Sequence, residues 1–487
     1  MPLIVLLVRK AWPALKIVFL NPNSLAMLKK SIPILVVATL VCNISFGQKQ
    51  DSIQLKKISD EIMLHGKAYS WLDYLSNRIG GRISGSPQAA AAVEYTHQLM
   101  DSIGADTVYL QPCMVPRWRR GDKETAKILT NNAGEFAVTI CALGGSVSTP
   151  QGGVTAEVVE VSSYDELKKI GLAGGVKGKI VFYNVPFDQT FVNTFDSYER
   201  TFDYRWSGAS QAAKYGAVGT VLRSLASGIN DYPHTGVMQY NDSVKIKLPA
   251  CAISTQGAEL LSKLLKNDPK LRFHFEMSCY TMPDVQSYNV IAELKGTEHP
   301  EEIIDVGGHL DSWDLAQGSN DDGAGIVQSL EVLRTFRAMG IKPKRTIRVI
   351  MFMNEENGGR GGKKYAEEAK RKGEKHIVAM ESDAGGETPL GFGIDGTDAQ
   401  RAAILRWKGL LLPYGLYDFM GTDGGSDIEK LKDQGTLLLG LNPDSQRYFD
   451  THHTPIDTFD RINKRELELG AASMTMMLYL VSQYGIK

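Results

Sequence analysis

Ile303-Ile304-Asp305-Val306-Gly307-Gly308-His309-Leu310-Asp311-Ser312 decides the fold. A short apolar run closed by two glycines and then a histidine reads as a buried strand that opens into a working loop. Two runs of the same kind follow, Ile347 to Met353 and Ile377 to Met380. Between the first two, Ile326, Leu330, Leu333 and Phe336 recur at helical spacing, and Asp322 stands where it can cap that helix. Strands alternating with helices argue for an α/β fold, a mostly parallel mixed sheet with helices on both faces. In such sheets chemistry collects at the carboxyl ends of strands. His309, Glu355, Glu356 and Asp383 each lie just past such an end.

Outward from this core the chain changes character. From Asp51 to about Gly104 it reads as helices, with Ile58, Ile62 and Leu64, then Ala92, Tyr95 and Leu99, at helical spacing. The turn-rich stretch from Ile79 to Pro87 either connects helices or lines a site. From about Ala126 to Pro283 short strands predominate (Glu157 to Val161, Lys179 to Tyr183, Val218 to Leu222), with a short helix from Ala209 to Tyr215. This β-rich stretch holds none of the metal-type residues considered below, which makes it a candidate inserted domain whose ends lie close together.

The 487 residues exceed what one core usually organises, so two domains are expected. Hydrophobic residues at 43% and charged residues at 22% are ordinary for a globular protein. A formal net charge of -1 gives no electrostatic case for nucleic acid or an anionic membrane. Lys29 and Lys30 precede an apolar run from Ile32 to Val41, and small residues follow near Ser45 and Gly47, the pattern of an export signal. Met27 is the more natural start of that leader, with a signal anchor as the competing reading. Val41 stands before Cys42 where a lipoprotein needs a small residue. The expected location is therefore exported, periplasmic or extracellular, without stable membrane insertion after signal removal. Cys113, Cys141, Cys251 and Cys279 show no CxxC spacing, so disulfides and buried thiols both stay open.

The residues that carry chemistry fall in five short stretches. His309 is a good zinc-type ligand, and Asp311 is a plausible partner for its second nitrogen. Asp321 and Asp322 precede a glycine-rich helix start, where the first can bridge two cations and the second cap. Of the adjacent Glu355 and Glu356, one can ligate while the other serves as general base. Asp383 fits a ligand's place better than its rival Glu381 because it lies further past the strand. His452 and His453 offer the second imidazole, and Asp457 stands where it can orient one of them. Asp321, Glu356 and Asp383 bring three negative charges, which two divalent cations and a bridging hydroxide would neutralise.

The ordered set His309-x-Asp311, Asp321-Asp322-Gly323, Glu355-Glu356, Asp383 and His453-Thr-x-x-Asp-Thr resembles the di-zinc exopeptidases, the family of secreted bacterial aminopeptidases and plasma glutamate carboxypeptidase. Gly152-Gly153-Val154, Val176 to Val181 and Ala213 to Gly219 resemble the protease-associated domain such enzymes insert. The resemblance implies two Zn2+ per chain. His309 and Asp383 would hold one, Glu356 and His453 the other, with Asp321 bridging. It makes Glu355 the general base for metal-activated water, and places Asp311 and Asp457 behind the ligands. His453 is preferred over His452 because it directly precedes Thr454-x-x-Asp457-Thr458. The implied division is a leader over 1–47, catalytic segments over 48–125 and 284–487, and the inserted domain over 126–283. The implied activity is exopeptidase, as aminopeptidase or dipeptidase. A carboxypeptidase of the plasma glutamate type and a receptor-like binder that has lost activity are the alternatives. The expected partner is a peptide or dipeptide substrate, with a homodimer left open. Two departures from the family pattern, Asn354 before the glutamate pair and Gln434-Gly435-Thr436, bear on pocket shape.

Overall fold

The computed structural model describes residues 49–486 except Ser243. The expected leader, including Met27, Lys29, Lys30 and Cys42, lies outside the described residues. The chain divides into two units, residues 1–55 and Lys56–Lys487. Of the first only residues 49–55 are described, and they are helical. No helix among the described residues is long and apolar enough to cross a membrane.

Among the described residues, fifteen strands build two sheets in the larger unit. In chain order, β1 is Thr107–Arg119, β2 Thr125–Leu129, β3 Glu135–Val138, β4 Ile140–Ala142 and β5 Val154–Val161. Then come β6 at Ile180–Tyr183, β7 at Gly219–Arg223, β8 at Ala250–Ile253, β9 at Arg272–Glu276 and β10 at Tyr280–Leu294. The last five are β11 at His299–His309, β12 at Arg345–Phe352, β13 at Lys375–Glu381, β14 at Pro389–Asp395 and β15 at Leu437–Pro443. One sheet runs β1-β10-β12-β11-β13-β15-β14 and the other β3-β2-β9-β5-β6-β7-β8-β4.

The first sheet is parallel at its centre, where β12, β11, β13 and β15 pair in sequence, and antiparallel at its edges. Its central strands are buried on both faces: Ile304, Val306, Ile347, Val349, Val378 and Met380 line one, and the other mixes Ile350 and Ala379 with the buried Asp305 and Arg348. Burying each such Ile, Val or Met side chain stabilises the fold by about 1.5–3 kcal/mol. The helix Ala324–Ala338 buries Ile326, Leu330, Leu333 and Phe336, as their spacing predicts. It also buries Glu331, whose carboxylate accepts from the amides of Lys67 and Ala68. This helix packs between the helices Ala68–Tyr74, Pro87–Ile103 and Lys464–Tyr484 and the strands β11 and β12.

The second sheet is made wholly from Thr125–Glu276, the stretch read as β-rich. Four of its strands, β5 to β8, pair in parallel, which requires crossovers. The helices Tyr164–Leu172, Thr194–Trp206 and Gly208–Ala213 lie along these connections, and Thr255–Asn267 leads from β8 to β9. Entry and exit are adjacent, because β1 and β10 pair antiparallel along nearly their whole length. All four described cysteines are free and buried, so the thiol alternative is the one observed.

Candidate active site

The parallel strands deliver the chemical residues to one edge. His309 closes β11, Glu355 and Glu356 follow β12 within four residues, and Asp383 lies two beyond β13. Gly308 is needed before the histidine, because a Cβ there would stand 2.2 Å from Asp322 Oδ2. That oxygen accepts from the His309 amide at 3.0 Å, and Asp322 Oδ1 accepts from Gly325 at 2.9 Å in the following helix. Asp322 thus caps, as its place in the sequence suggests.

His309 Nδ1 lies 2.9 Å from the main-chain carbonyl of Asp311, which fixes the ring with Nε2 facing the site. The expectation for Asp311 is met by its backbone rather than its carboxylate. The carboxylate instead accepts from the amides of Asn354 at 2.6 Å and Glu355 at 3.1 Å, and so holds the glutamate loop. Asn354 has φ 75°, in the left-handed region that asparagine tolerates better than most residues. Its side chain donates to Ser84 at 2.9 Å. The departure at Asn354 is therefore a backbone requirement.

Asp321 sits in the turn Ser319–Gly323 with one oxygen turned to each histidine. Oδ1 is 3.2 Å from His309 Nε2, and Oδ2 is 3.2 Å from His453 Nε2. His309 Nε2 is also 3.2 Å from Asp383 Oδ1, and His453 Nε2 is 3.1 Å from Glu356 Oε2. His452 Nε2 stands 3.7 Å from Asp321 Oδ2, stacked on His453 with ring centroids 3.6 Å apart. His453 reaches both Asp321 and Glu356 and is the better placed of the two. Glu381 turns away, accepting from the amides of Asp427 and Ile428 at 3.1 Å. Asp457 was expected to orient a histidine. Its carboxylate instead accepts from the amides of Ser319 at 3.1 Å, Asn320 at 2.7 Å and Asp321 at 3.2 Å, which positions the bridging carboxylate. Glu355 Oε1 accepts from Ser426 Oγ at 2.9 Å.

The electrostatics are those of a crowded acid cluster. Burial opposes charge on His309 and His453, but Asp383 and Asp321 hold the first well above the usual imidazole range, and Glu356 and Asp321 raise the second to about 9. Burial and Asp321 push Glu356 up to about 8. Burial raises Asp383 and Asp311 to about 6 and Asp457 to about 7. Asp321 is held well below the carboxylate range, since the nearby His309 and His453 imidazoles outweigh its burial.

These residues fit a metal centre. Asp321 Oδ2 is buried and has no hydrogen-bond partner although His453 Nε2 lies only 3.2 Å away. Two such atoms close together yet misaligned for a hydrogen bond point toward a common third position. A void of about 10 Å³ lies beside Asp321, Glu356 and His453, about the space of one water-sized sphere. Donors from His309, Asp321 and Asp383, and from Asp321, His452 and His453, form two clusters that share Asp321.

Several contributors carry no signal in the sequence. Arg82, fully buried, donates to the carbonyls of Leu310 at 2.5 Å, Gln317 at 2.8 Å and Gly318 at 3.0 Å. The Ile79 to Pro87 loop therefore braces the site. Thr235, in the connection between β7 and β8, places its carbonyl 3.2 Å from His453 Nδ1. Arg205 Nη1 lies 3.4 Å from that same nitrogen. The Trp313 amide donates to Glu356 Oε1 at 3.2 Å.

A parallel-centred α/β sheet with two imidazoles and shared carboxylates at its carboxyl edge defines the class, a metallopeptidase of the zinc-exopeptidase fold. The family model described as Peptidase family M28 matches residues 289–478. Carboxypeptidase Q of Mus musculus is 36% identical over 416 residues, spanning 85% of this chain and 86% of that one. The crystal structure of a peptidase M28 precursor from Shewanella amazonensis SB2B superposes with a TM-score of 0.83 at 32% identity, covering 89% of this chain and 97% of that chain. A zinc aminopeptidase from Bacillus subtilis shares the fold, with a TM-score of 0.59 at 21% identity over 85% of this chain and 94% of its own. The chain belongs to peptidase family M28.

Proposed function

We propose that this chain is a secreted or periplasmic di-zinc exopeptidase. His309 and Asp383 would hold one zinc, Glu356 and His453 the second, and Asp321 would bridge them. The observation that carries this reading is the Asp321 carboxylate, with one oxygen 3.2 Å from each histidine. When bound, such cations polarise a scissile carbonyl and acidify water.

Glu355 is the free carboxylate beside this cluster. It takes the proton of the attacking water and returns it to the departing amine. The Ser426 hydroxyl and the Asp311-anchored amides hold its loop in place. Tyr448 keeps its phenolic proton, because burial and the carboxylates of Asp321 and Asp383 push its pKa well up. The presence of Glu355 and of every proposed ligand supports catalysis over a receptor-like role.

Terminus preference follows from charge. The candidate arginines for a substrate carboxylate are engaged, Arg360 with Asp284 at 2.5 Å and Arg447 with Glu466 at 2.9 Å, and the buried Arg205 beside His453 is held by the Tyr198 hydroxyl at 2.6 Å. Glu387, which lies outside the proposed ligand set, 3.3 Å from Asn320 and with its buried Oε2 unpartnered, supports capture of a free ammonium and hence aminopeptidase or dipeptidase action. The second reading is carboxypeptidase action, supported by the name of the mouse relative. A panel of dipeptides blocked at one end or the other decides. Cleavage of C-amidated and not N-acetylated substrates supports the aminopeptidase, and the reverse pattern supports the carboxypeptidase. Glu355→Gln should keep its zinc and lose about 10²–10⁴-fold in kcat. Full activity of that variant removes Glu355 as the base.

The same proposal takes residues 126–283 as an inserted protease-associated domain between catalytic segments 48–125 and 284–487. The separate sheet β2 to β9 and the paired β1 and β10 at its root support it. Cell fractionation tests the exported location, and sedimentation tests the homodimer.

A further inference from the structure

Arg120 lies at the end of β1, where the chain leaves the first sheet for the second. It is only 9% exposed, and each of its guanidinium nitrogens is engaged. Nε reaches Asp314 Oδ1 at 3.1 Å and Oδ2 at 3.0 Å, and Nη2 reaches Oδ1 at 2.7 Å. Nη1 donates to Glu124 at 3.1 Å and to the carbonyl of Ala142 at 2.7 Å. Nη2 also reaches Thr235 Oγ1 at 3.3 Å.

Two of these contacts lead directly to one half of the metal cluster. Asp314 follows Trp313, whose amide holds Glu356 Oε1 at 3.2 Å. Thr235 grips His453 twice, its amide donating to the His453 carbonyl at 2.9 Å and its own carbonyl meeting Nδ1 at 3.2 Å. Thr235 Oγ1 donates to Ala142 at 2.8 Å, the same carbonyl that Arg120 holds. The Trp313 ring is fixed as well, because it lies so close to Gly144 that a Cβ there would stand 1.9 Å from it. The other half of the cluster lacks such links. His309 is oriented by the Asp311 carbonyl, and the bridging Asp321 by Asp457.

We propose that Arg120 is a positioning residue that sets the zinc affinity of the Glu356–His453 half, tying the second sheet to that half and leaving the His309–Asp383 half independent. The inference rests on the two-zinc reading above. Guanidinium geometry matters here, because Arg120 spans a carboxylate, a carbonyl and a hydroxyl at once, which a lysine ammonium cannot do. Groups that orient a ligand from behind typically change metal affinity by about 10–100-fold.

The test titrates zinc into metal-free full-length protein against a chromophoric chelator, giving one dissociation constant per half. His309→Ala and His453→Ala show which constant belongs to which half. Arg120→Met and Arg120→Lys should weaken the Glu356–His453 zinc by about 10–100-fold and leave the other within about threefold. Asp314→Asn, which keeps Arg120 and the side-chain volume, should shift the same constant less, and it serves should the Arg120 variants fail to fold. Equal weakening of both constants, or no change in either, overturns the proposal. A wild-type protein that takes up a single zinc overturns the two-zinc reading itself and this inference with it.

Discussion

Replacing Arg82 by lysine keeps a positive charge and removes a fork. Arg82 donates through three nitrogens to three main-chain carbonyls, those of Leu310, Gln317 and Gly318, all in the loop that joins His309 to Asp321. Burial lowers the guanidinium pKa, and Asp457, Asp322, Asp311 and Asp321 offset this only in part. One lysine ammonium meets one of these carbonyls and forfeits the charge-assisted bonds to the other two, with the Gly318 carbonyl keeping only its neutral bond from the Gly323 amide at 3.1 Å. Each charge-assisted hydrogen bond contributes about 1.5–3 kcal/mol, so Arg82→Lys should cost about 3–6 kcal/mol. That is a large share of an ordinary folding stability of about 5–15 kcal/mol. Guanidinium unfolding of the metal-free protein measures it, with the midpoint falling and the slope unchanged. A loss below about 1 kcal/mol would refute the reasoning, since the loop carbonyls would then be satisfied by other partners.

Two further predictions address catalysis and pH. Ser426→Ala removes one charge-assisted hydrogen bond from the Glu355 carboxylate, worth about 1.5 kcal/mol, and should lower kcat about tenfold with KM nearly unchanged. An unchanged kcat would show that Ser426 does not position the base. His376 lies away from the site, with Nδ1 2.5 Å from Asp305 and Nε2 3.2 Å from Glu374. Burial lowers its pKa, but Asp305 and then Glu374 outweigh this and raise it from 6.5 to about 9. The folded state therefore binds this proton more tightly than the unfolded state. The resulting stabilisation, on the order of 3 kcal/mol, is complete below about pH 6.5 and is lost as pH rises through about 9. Unfolding of wild type and His376→Gln at pH 6 and pH 9.5 should show the gap between them close at the higher pH. A constant gap would contradict the assignment.

The central sheet was legible because buried parallel strands are continuous apolar runs. Ile303 to Val306, Ile347 to Met353 and Ile377 to Met380 fall within or overlap β11, β12 and β13. His309, Glu355, Glu356 and Asp383 were legible because each follows such a strand, and Asp321 because it precedes a glycine-rich helix start. What escaped notice acts through the backbone or from a distant segment. The carbonyls of Asp311 and Thr235 carry no side-chain signal. Asp457 stands out in the sequence, but its carboxylate holds three amides rather than an imidazole, an outcome set by loop geometry. Arg82 sits in a glycine- and serine-rich stretch that reads equally well as a connector. The stretch of the second sheet reads as free of chemistry because it contributes only Arg205 and the loop around Thr235, whose meeting with His453 depends on the packing of two sheets.

The most direct measurement is anomalous scattering at the zinc edge from crystals of the zinc-loaded protein. Two peaks about 3.5–4 Å apart are expected, one beside His309 and Asp383, the other beside Glu356 and His453, with Asp321 touching both. A single peak, or a second peak held by His452 or Glu381 in place of His453 or Asp383, would contradict the account.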